Sequence, residues 1–170
     1  MSLHALEFIT VESDPWTTTP PGQPVEARAD LLLGWEQWRD LRERWPDDLR
    51  AGVVFPNDVD IRELLPSLPH LALIALPFPK WTDGRAYSQA RLLRTRHRYR
   101  GQLRAIGDVI ADMAAQLQRT GFDSAVLRAG ESIAVARRML TFFAEFYQAD
   151  VNERRIRFAR AGTGAAGTPS

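Results

Sequence analysis

The segment that decides the fold is Leu71–Asp108, which reads LALIALPFPKWTDGRAYSQARLLRTRHRYRGQLRAIGD. It begins with a continuous apolar run, Leu71–Leu76, which is too short for a buried helix and is typical of a strand covered on both faces. Pro77 and Pro79 are expected to stop this strand, because proline lacks the N–H donor that a sheet needs. The polar turn Lys80–Gly84, a basic helix and a second strand follow. The segment therefore predicts a β-turn-α-β unit.

Strand and helix patterns continue to alternate on both sides of this segment. Short apolar runs predict strands, and apolar residues spaced by three and four predict helices. The predicted strands are Leu6–Val11, Gly52–Phe55, Leu103–Ile106 and Phe122–Leu127, and the predicted helices are 35–45, Val59–Leu65, Arg85–Arg98, Val109–Arg119 and Ile133–Tyr147. Leu31–Leu33 is either a strand or the first turn of the next helix. The indoles of Trp35, Trp38 and Trp45 are expected in the core rather than on a docking stripe.

The repeated strand–helix units predict an α/β fold, a single domain with a mostly parallel sheet of four or five strands and covering helices. An open, doubly wound sheet is the preferred arrangement. The alternative is an incomplete βα barrel, since a full barrel of eight units takes about 250 residues and this chain has 170. Residues 1–26 are expected to form a flexible or loosely packed arm, residues 27–160 the domain, and residues 161–170 a disordered tail.

The composition is that of an ordinary globular protein, with 45% hydrophobic residues, 25% charged residues and a formal net charge of +1. Neither nucleic acid nor a membrane is indicated as a partner by this balance. The absence of cysteine excludes disulfides, a thiolate nucleophile and an iron–sulfur cluster held by this chain. No apolar run approaches the roughly 20 residues of a membrane helix, and no leader pattern is present. We expect a soluble, cytoplasmic protein.

The turns after the strands should meet at one edge of the sheet, where parallel strands end together and ligands usually bind. Asp83 can cap the following helix while Gly84 and Arg85 present backbone N–H groups, an arrangement that suits a phosphate, sulfate or carboxylate. The predicted ligand-binding residues are Lys80, Asp83, Gly84, Arg85, Ser88, Arg91 and Arg128, with Asn57, Asp58, Gly107 and Asp108 expected nearby. The alternative is that Asp83 is only a cap and that the arginines pair with surface carboxylates.

Catalytic motifs are weak in this sequence. Asp83 and Asp108 are the candidates for acid/base chemistry, although Asp108 is also expected to be the N-cap of the helix Val109–Arg119. The three histidines, His4, His70 and His97, lack ligand spacing, so no metal site is predicted. No glycine-rich nucleotide loop is present, so no cofactor is predicted, with flavin as the alternative.

The most basic stretch is Arg91–Arg100, RLLRTRHRYR. A solvated helix face is the preferred interpretation, and an acidic protein partner is an alternative. Contact with a nucleic acid backbone is also compatible with arginines around Tyr99, but the balanced total charge argues against it.

A set of short motifs runs through the segment 71–127: Asp83-Gly84-Arg85, Tyr87-Ser88, Ala90-Arg91, Leu93-Arg94, Gly101, Leu103-Arg104-Ala105, Gly107-Asp108 and Gly121-Phe122-Asp123. Together they resemble the bacterial DUF934 family, strongly over this segment and weakly over the preceding strand–helix units. The family pattern often has a cysteine where this sequence has Thr120, so the resemblance supplies no role for a thiol here.

The resemblance implies a link to sulfur metabolism, because the family is described as a probable oxidoreductase involved in sulfite reduction. The sequence itself has no nicotinamide or flavin fingerprint and no cysteine that could ligate a cluster. We therefore expect an accessory protein of assimilatory sulfate and sulfite reduction that acts with sulfite reductase and lacks its own redox centre. The alternative is a small enzyme or binder of an anionic, sulfo- or phosphorylated metabolite at the carboxyl edge of the sheet. Whether the chain is an enzyme, and its oligomeric state, stay open.

Overall fold

One sheet of seven parallel strands organises the residues that the structure describes, which in this computed structural model are 6–10, 12–20 and 23–142. The strands are β1 (Glu7–Ile9), β2 (Thr17–Thr18), β3 (Leu31–Gly34), β4 (Ala51–Val54), β5 (Leu71–Phe78), β6 (Gln102–Gly107) and β7 (Ser124–Val126). Their order across the sheet is β1-β7-β6-β5-β4-β3-β2, and every neighbouring pair is parallel. The predicted single α/β domain with a parallel sheet is confirmed.

Helices connect most of these strands. They are α1 (Trp35–Leu41), α2 (Arg85–Thr95), α3 (Ala114–Thr120) and α4 (Ile133–Phe142), with 3₁₀ turns at Arg42–Arg44, Ile61–Glu63, Leu65–His70 and Ala111–Met113. In place of the predicted helix Val59–Leu65 there is a 3₁₀ turn at Ile61–Glu63, and a second 3₁₀ turn begins at Leu65. Pro66 and Pro69 lie in the second turn and prevent it from continuing as an α-helix. Tyr147 and the predicted tail lie outside the described residues.

The strand order is that of a partial barrel. From β2 to β7 each strand lies beside the next one along the chain, whereas the order reverses at one point in a doubly wound sheet. The sheet is therefore a curled half-barrel, and the predicted alternative of an incomplete βα barrel is correct. The predicted count of four or five strands is too low. The shortest strand, Thr17–Thr18, has two exposed threonines and so gives no apolar signal in the sequence.

The sheet has an outer face under the helices and an inner face on the concave side. The main core joins outer-face strand residues such as Leu33, Val53 and Ile74 to the helices. The inner face carries a small separate cluster of Leu32, Leu73 and Ala75, against which Trp16, Val54 and Ile106 pack. Trp35, Trp38 and Trp45 are all buried in the main core, which confirms that prediction.

The N-terminal residues reach both edges of the half-barrel. β1 pairs with β7 at one edge, and β2 pairs with β3 at the other, only seven residues further along the chain. Six strand spacings in a flat sheet would measure about 29 Å, which is about the full extension of the chain between Ile9 and Thr17. The segment between Ile9 and Thr17 is not fully extended, because it contains a turn in which the Ser13 N–H donates to the Thr10 carbonyl at 3.1 Å. Its ends are therefore closer together than the edges of a flat sheet would be. The segment therefore crosses the inner face of a sheet whose edges have curled towards each other.

The division into arm, domain and tail stays a prediction.

Strand β5 continues two residues beyond its predicted end, through Pro77 to Phe78. The Ala75 carbonyl accepts from the Phe55 N–H on the β4 side, and the Phe78 carbonyl accepts from the Asp108 N–H on the β6 side. Because successive residues of a strand alternate between neighbours, Pro77 faces the β4 side. β4 has already ended there, its last pair being Val54 with Ala75. The missing donor of Pro77 therefore costs no hydrogen bond in the sheet.

Candidate functional site

At the carboxyl end of the sheet, the Asp108 carboxylate joins the loops that follow three strands. It accepts a hydrogen bond from the backbone N–H of Trp81 at 2.9 Å and from Arg128 Nη1 at 2.9 Å. The N–H of Trp81 and the Arg128 guanidinium hold the pKa of Asp108 below its usual value. Asp108 is therefore a clamp between loops that stays ionised at neutral pH.

The expected capping role of Asp108 is wrong. Glu131 takes that position, because its Oε2 accepts from the Ala111 N–H at 2.9 Å, where the 3₁₀ turn before α3 begins. The other oxygen of Glu131 lies 3.3 Å from Arg128 Nη2. Arg128 is thus shared between two carboxylates and does not present an uncompensated positive charge.

A second cluster surrounds Asp83. Its carboxylate accepts from Arg85 Nη2 at 2.7 Å, from the Arg85 backbone N–H at 3.2 Å and from Asn57 Nδ2 at 3.1 Å. The side-chain hydrogen bonds from Arg85 are the largest cause that lowers the pKa of Asp83, and the same pair raises the pKa of Arg85. Asp83 thus lies one residue before the N-cap of α2 and accepts the first backbone N–H of that helix, and Arg85 pairs with it.

These contacts divide the residues predicted to bind a ligand. Asp83 with Arg85 and Asp108 with Arg128 form two neutralised clusters, and Gly84 lies at the N-cap of α2. Lys80, Ser88 and Arg91 are exposed, and no hydrogen bond or ion pair of the described residues joins their side chains to either cluster. Low pKa values make Asp83 and Asp108 poor proton donors and weak bases near pH 7. The acid/base and anion-binding roles of these residues stay predictions.

A cleft of about 560 Å³ lies beside the Asp108 cluster. Tyr87 stands in its wall with its ring 5.0 Å from that of Phe78, and burial raises the pKa of Tyr87 to about 12. The indole of Trp81 is 53% exposed at the rim. The lining residues are Trp81, Tyr87, Ile110, Asp112, Met113, Gln116 and Arg128.

Sequence reasoning missed this cleft because its lining comes from four separate segments of the chain. Of these residues, only Trp81, within the turn Lys80–Gly84, and Arg128 were expected at the edge of the sheet. The one local signal was Trp81, a large apolar residue in a polar turn between Lys80 and Asp83.

The opposite, amino end of the sheet carries what we call the basic surface, formed by Arg91, Arg96, Arg98 and Arg100. All four arginines are exposed, and within the described residues none has a hydrogen bond or ion pair from its guanidinium. Leu92 is 38% exposed in the same stretch. The solvated face predicted for this stretch is consistent with its exposure.

Among residues 6–10, 12–20 and 23–142, no three His, Cys, Asp or Glu side chains are grouped closely enough to hold a metal ion. No helix in this part of the chain is sufficiently long and apolar to cross a membrane.

The fold and its surfaces define an α/β protein built on an open parallel half-barrel, with an aromatic cleft at one end of the strands and a basic surface at the other. A family model described as a bacterial protein of unknown function, DUF934, matches residues 52–158. The chain therefore belongs to the DUF934 family, as the sequence motifs predicted. A search of curated proteins found no match. The family match begins inside β4, so β1, β2 and β3 lie before it.

Proposed function

We propose that this protein is an accessory protein of assimilatory sulfate and sulfite reduction, which binds sulfite reductase through the basic surface and brings no redox centre of its own. The link to sulfite reduction rests on the resemblance to the DUF934 family. The observation that carries the binding role is the charge on Arg91, Arg96, Arg98 and Arg100, which no carboxylate of the described residues compensates.

The pairing of other arginines makes this charge distinctive. Arg85, Arg94, Arg104 and Arg128 each form an ion pair with an aspartate. The basic surface instead concentrates, within ten residues, four arginines that form no ion pair with any described residue. Such a surface steers an acidic partner into place and selects against a basic one. The half-exposed Leu92 adds an apolar contact among the charges, as protein interfaces commonly require. The partner is therefore an acidic protein surface, which we assign to sulfite reductase.

A pull-down with purified sulfite reductase of the same bacterium tests this proposal. The wild-type chain should retain the enzyme at micromolar concentration, and Arg96→Glu/Arg98→Glu should reduce the retained amount at least tenfold. Arg137→Glu/Arg138→Glu is the matched control, because it reverses two exposed charges on α4. Equal retention by both variants, or none by the wild type, would overturn the proposal.

The cleft favours a second candidate function, the binding of an anionic metabolite with a planar ring. Its volume of about 560 Å³ lies in the range of small-molecule sites. Trp81 and Tyr87 offer aromatic surface to a ring, and a sulfate or phosphate group would compete with Asp108 and Glu131 for the N–H donors of Arg128. Adenylylated sulfate combines both chemical features.

A thermal-shift series tests the second candidate with sulfite, sulfate, adenylylated sulfate, its 3′-phosphorylated form, FMN, FAD and NADPH. A ligand at a hundred times its dissociation constant stabilises the fold by about 2.7 kcal/mol, which raises the melting temperature of a chain of this size by about 5–10 °C. Trp81→Ala and Arg128→Met should abolish the shift. Val135→Ala, which truncates an exposed apolar side chain outside the cleft lining, should keep it. No shift with any compound would reject this candidate.

A further inference from the structure

Arg104 lies on the inner face of the half-barrel with its side chain only 1% exposed. An arginine stays protonated in proteins, and a buried guanidinium without an anion is strongly destabilising. Neither the proposed docking surface nor the cleft uses this residue. A full positive charge is therefore buried on the concave face, and a negative charge must accompany it.

The anion comes from the segment that crosses the inner face, residues 12–16, which we call the strap. Asp14 Oδ2 accepts from Arg104 Nη1 at 2.6 Å, across 90 residues of sequence. The Asp14 side chain is 18% exposed. Solvent therefore reaches the carboxylate but not the guanidinium.

Two neutral side chains complete the surroundings of Arg104. Its Nε donates to Ser124 Oγ at 3.3 Å, and its Nη2 lies 3.5 Å from Gln102 Oε1. Gln102 Nε2 also donates to Ser124 Oγ at 3.1 Å. Strands β6 and β7 thus supply these three residues as one preformed cradle, and the strap supplies only the carboxylate.

Few contacts hold the strap against the sheet. Within the described residues, no backbone hydrogen bond joins residues 12–16 to a strand. Trp16 is the second attachment, because its ring lies where a side chain on Gly52 would stand, 2.7 Å from the ideal Cβ position. The Trp16 N–H donates back to Asp14 Oδ1 at 3.0 Å, within the strap itself. Two side chains therefore carry the attachment.

From this arrangement we propose that the inner face holds an oxyanion-binding site built by Arg104, Ser124 and Gln102, in which the strap carboxylate of Asp14 is a displaceable internal ligand. A small oxyanion, such as sulfate, sulfite or formate, fits the same place because each offers the paired oxygens with which a guanidinium bonds. The site lies on the inner face and is separate from the cleft lined by Trp81 and Arg128.

Anion-dependent melting of Asp14→Ala tests the proposal. Loss of the internal carboxylate should lower the melting temperature by about 10 °C in chloride buffer. Sodium formate, sulfate or sulfite at the same ionic strength should recover at least half of this loss, with a saturable concentration dependence. Asp14→Asn is measured in parallel, because it removes the charge but keeps the shape of the side chain. It serves as the test variant if Asp14→Ala does not fold.

Two controls separate site binding from general salt effects, since sulfate stabilises most folded proteins. Asp60→Ala removes the carboxylate of an exposed pair with Arg62. Each anion should raise the melting temperature of this variant no more than that of the wild type. Asp14→Leu/Arg104→Met replaces the buried pair with apolar side chains. Its melting temperature should therefore rise with each anion no more than that of the wild type. The proposal would be overturned if each anion raised the melting temperature equally in every variant, or if no anion raised it in Asp14→Ala and Asp14→Asn. Comparing the three anions shows whether the site prefers a carboxylate or a sulfur oxyanion.

Discussion

The Arg94 guanidinium on α2 donates to the Asp123 carboxylate that precedes β7, and Asp123 accepts from the Leu103 N–H in β6 at 2.7 Å. The same guanidinium donates to the carbonyl oxygens of Tyr99 at 2.7 Å, Gly101 at 2.8 Å and Gly121 at 2.9 Å. Three motif residues of the family, Gly101, Gly121 and Asp123, are therefore held by the side chain of a fourth, Arg94. These motif residues maintain the packing of α2 on β6 and β7.

Replacement of Arg94 should destabilise the fold even when the new residue is lysine. A lysine keeps the charge but lacks the planar fork that reaches four oxygens at once. We expect Arg94→Lys to lower the free energy of unfolding by about 3 kcal/mol, because partly buried carbonyl oxygens lose their charge-assisted hydrogen bonds. Urea denaturation measures this loss. Arg91→Lys is the control on an exposed turn of the same helix and should change stability by less than about 0.5 kcal/mol. Equal effects of the two substitutions would contradict the structural role of Arg94.

Gly107 should tolerate no side chain. Its φ is +92°, and a Cβ there would stand 2.6 Å from the Phe78 carbonyl oxygen. Gly130 has a similar φ of +88°, but no atom of the described residues lies within 4 Å of the same position. Gly130→Ala should therefore cost only the strain of the left-handed conformation, about 1 kcal/mol, and Gly107→Ala at least about 2 kcal/mol more. Thermal unfolding of both variants measures the difference, and equal losses would contradict it.

Acid should destabilise the carboxyl edge of the sheet through Asp83 and Asp108. Both carboxyl groups have folded-state pKa values below the usual 3.8. Groups of this kind stabilise the folded state above about pH 4, and the contribution is lost as the pH falls through their folded-state pKa values.

The free energy of unfolding measured from pH 6 to pH 2 tests this dependence. It should fall less steeply below pH 4 in Asp83→Asn/Asp108→Asn than in the wild type. Asp47→Asn/Asp48→Asn, which removes two exposed carboxylates from a loop, is the matched control and should keep the wild-type slope. An unchanged slope in the first variant would show that the two clusters do not stabilise the fold.

The sequence predicts the elements of the outer face well, because their apolar periodicity is strong. Leu71–Leu76 lies within β5, and the three indoles at residues 35–45 are in the core. The strap was not predictable in the same way, since Asp14 and Trp16 lie among prolines and threonines and their partners are Arg104 and Gly52. Contacts across 90 residues leave no local pattern.

The carboxyl edge was predicted in position but not in detail. Parallel strands end together, so the approach of Lys80–Gly84 to Asp108 follows from topology alone. Loop conformation decides which carboxylate pairs with which arginine, and the sequence does not specify it. Arg128, which was predicted to bind a ligand, contacts Asp108 and Glu131 in the structure. The cleft beside this cluster depends on side chains from several segments, which no single motif encodes.

The central claim, that this protein binds sulfite reductase through its basic surface, is tested most directly by the affinity of the purified pair at several salt concentrations. The account predicts that the dissociation constant of the wild-type chain rises steeply between 50 and 200 mM salt, on the scale of screening between opposite charges. Arg96→Glu/Arg98→Glu should bind at least tenfold more weakly at 50 mM salt, and Arg137→Glu/Arg138→Glu should bind like the wild type. No measurable complex at 50 mM salt, or an affinity that neither salt nor Arg96→Glu/Arg98→Glu changes, would contradict it.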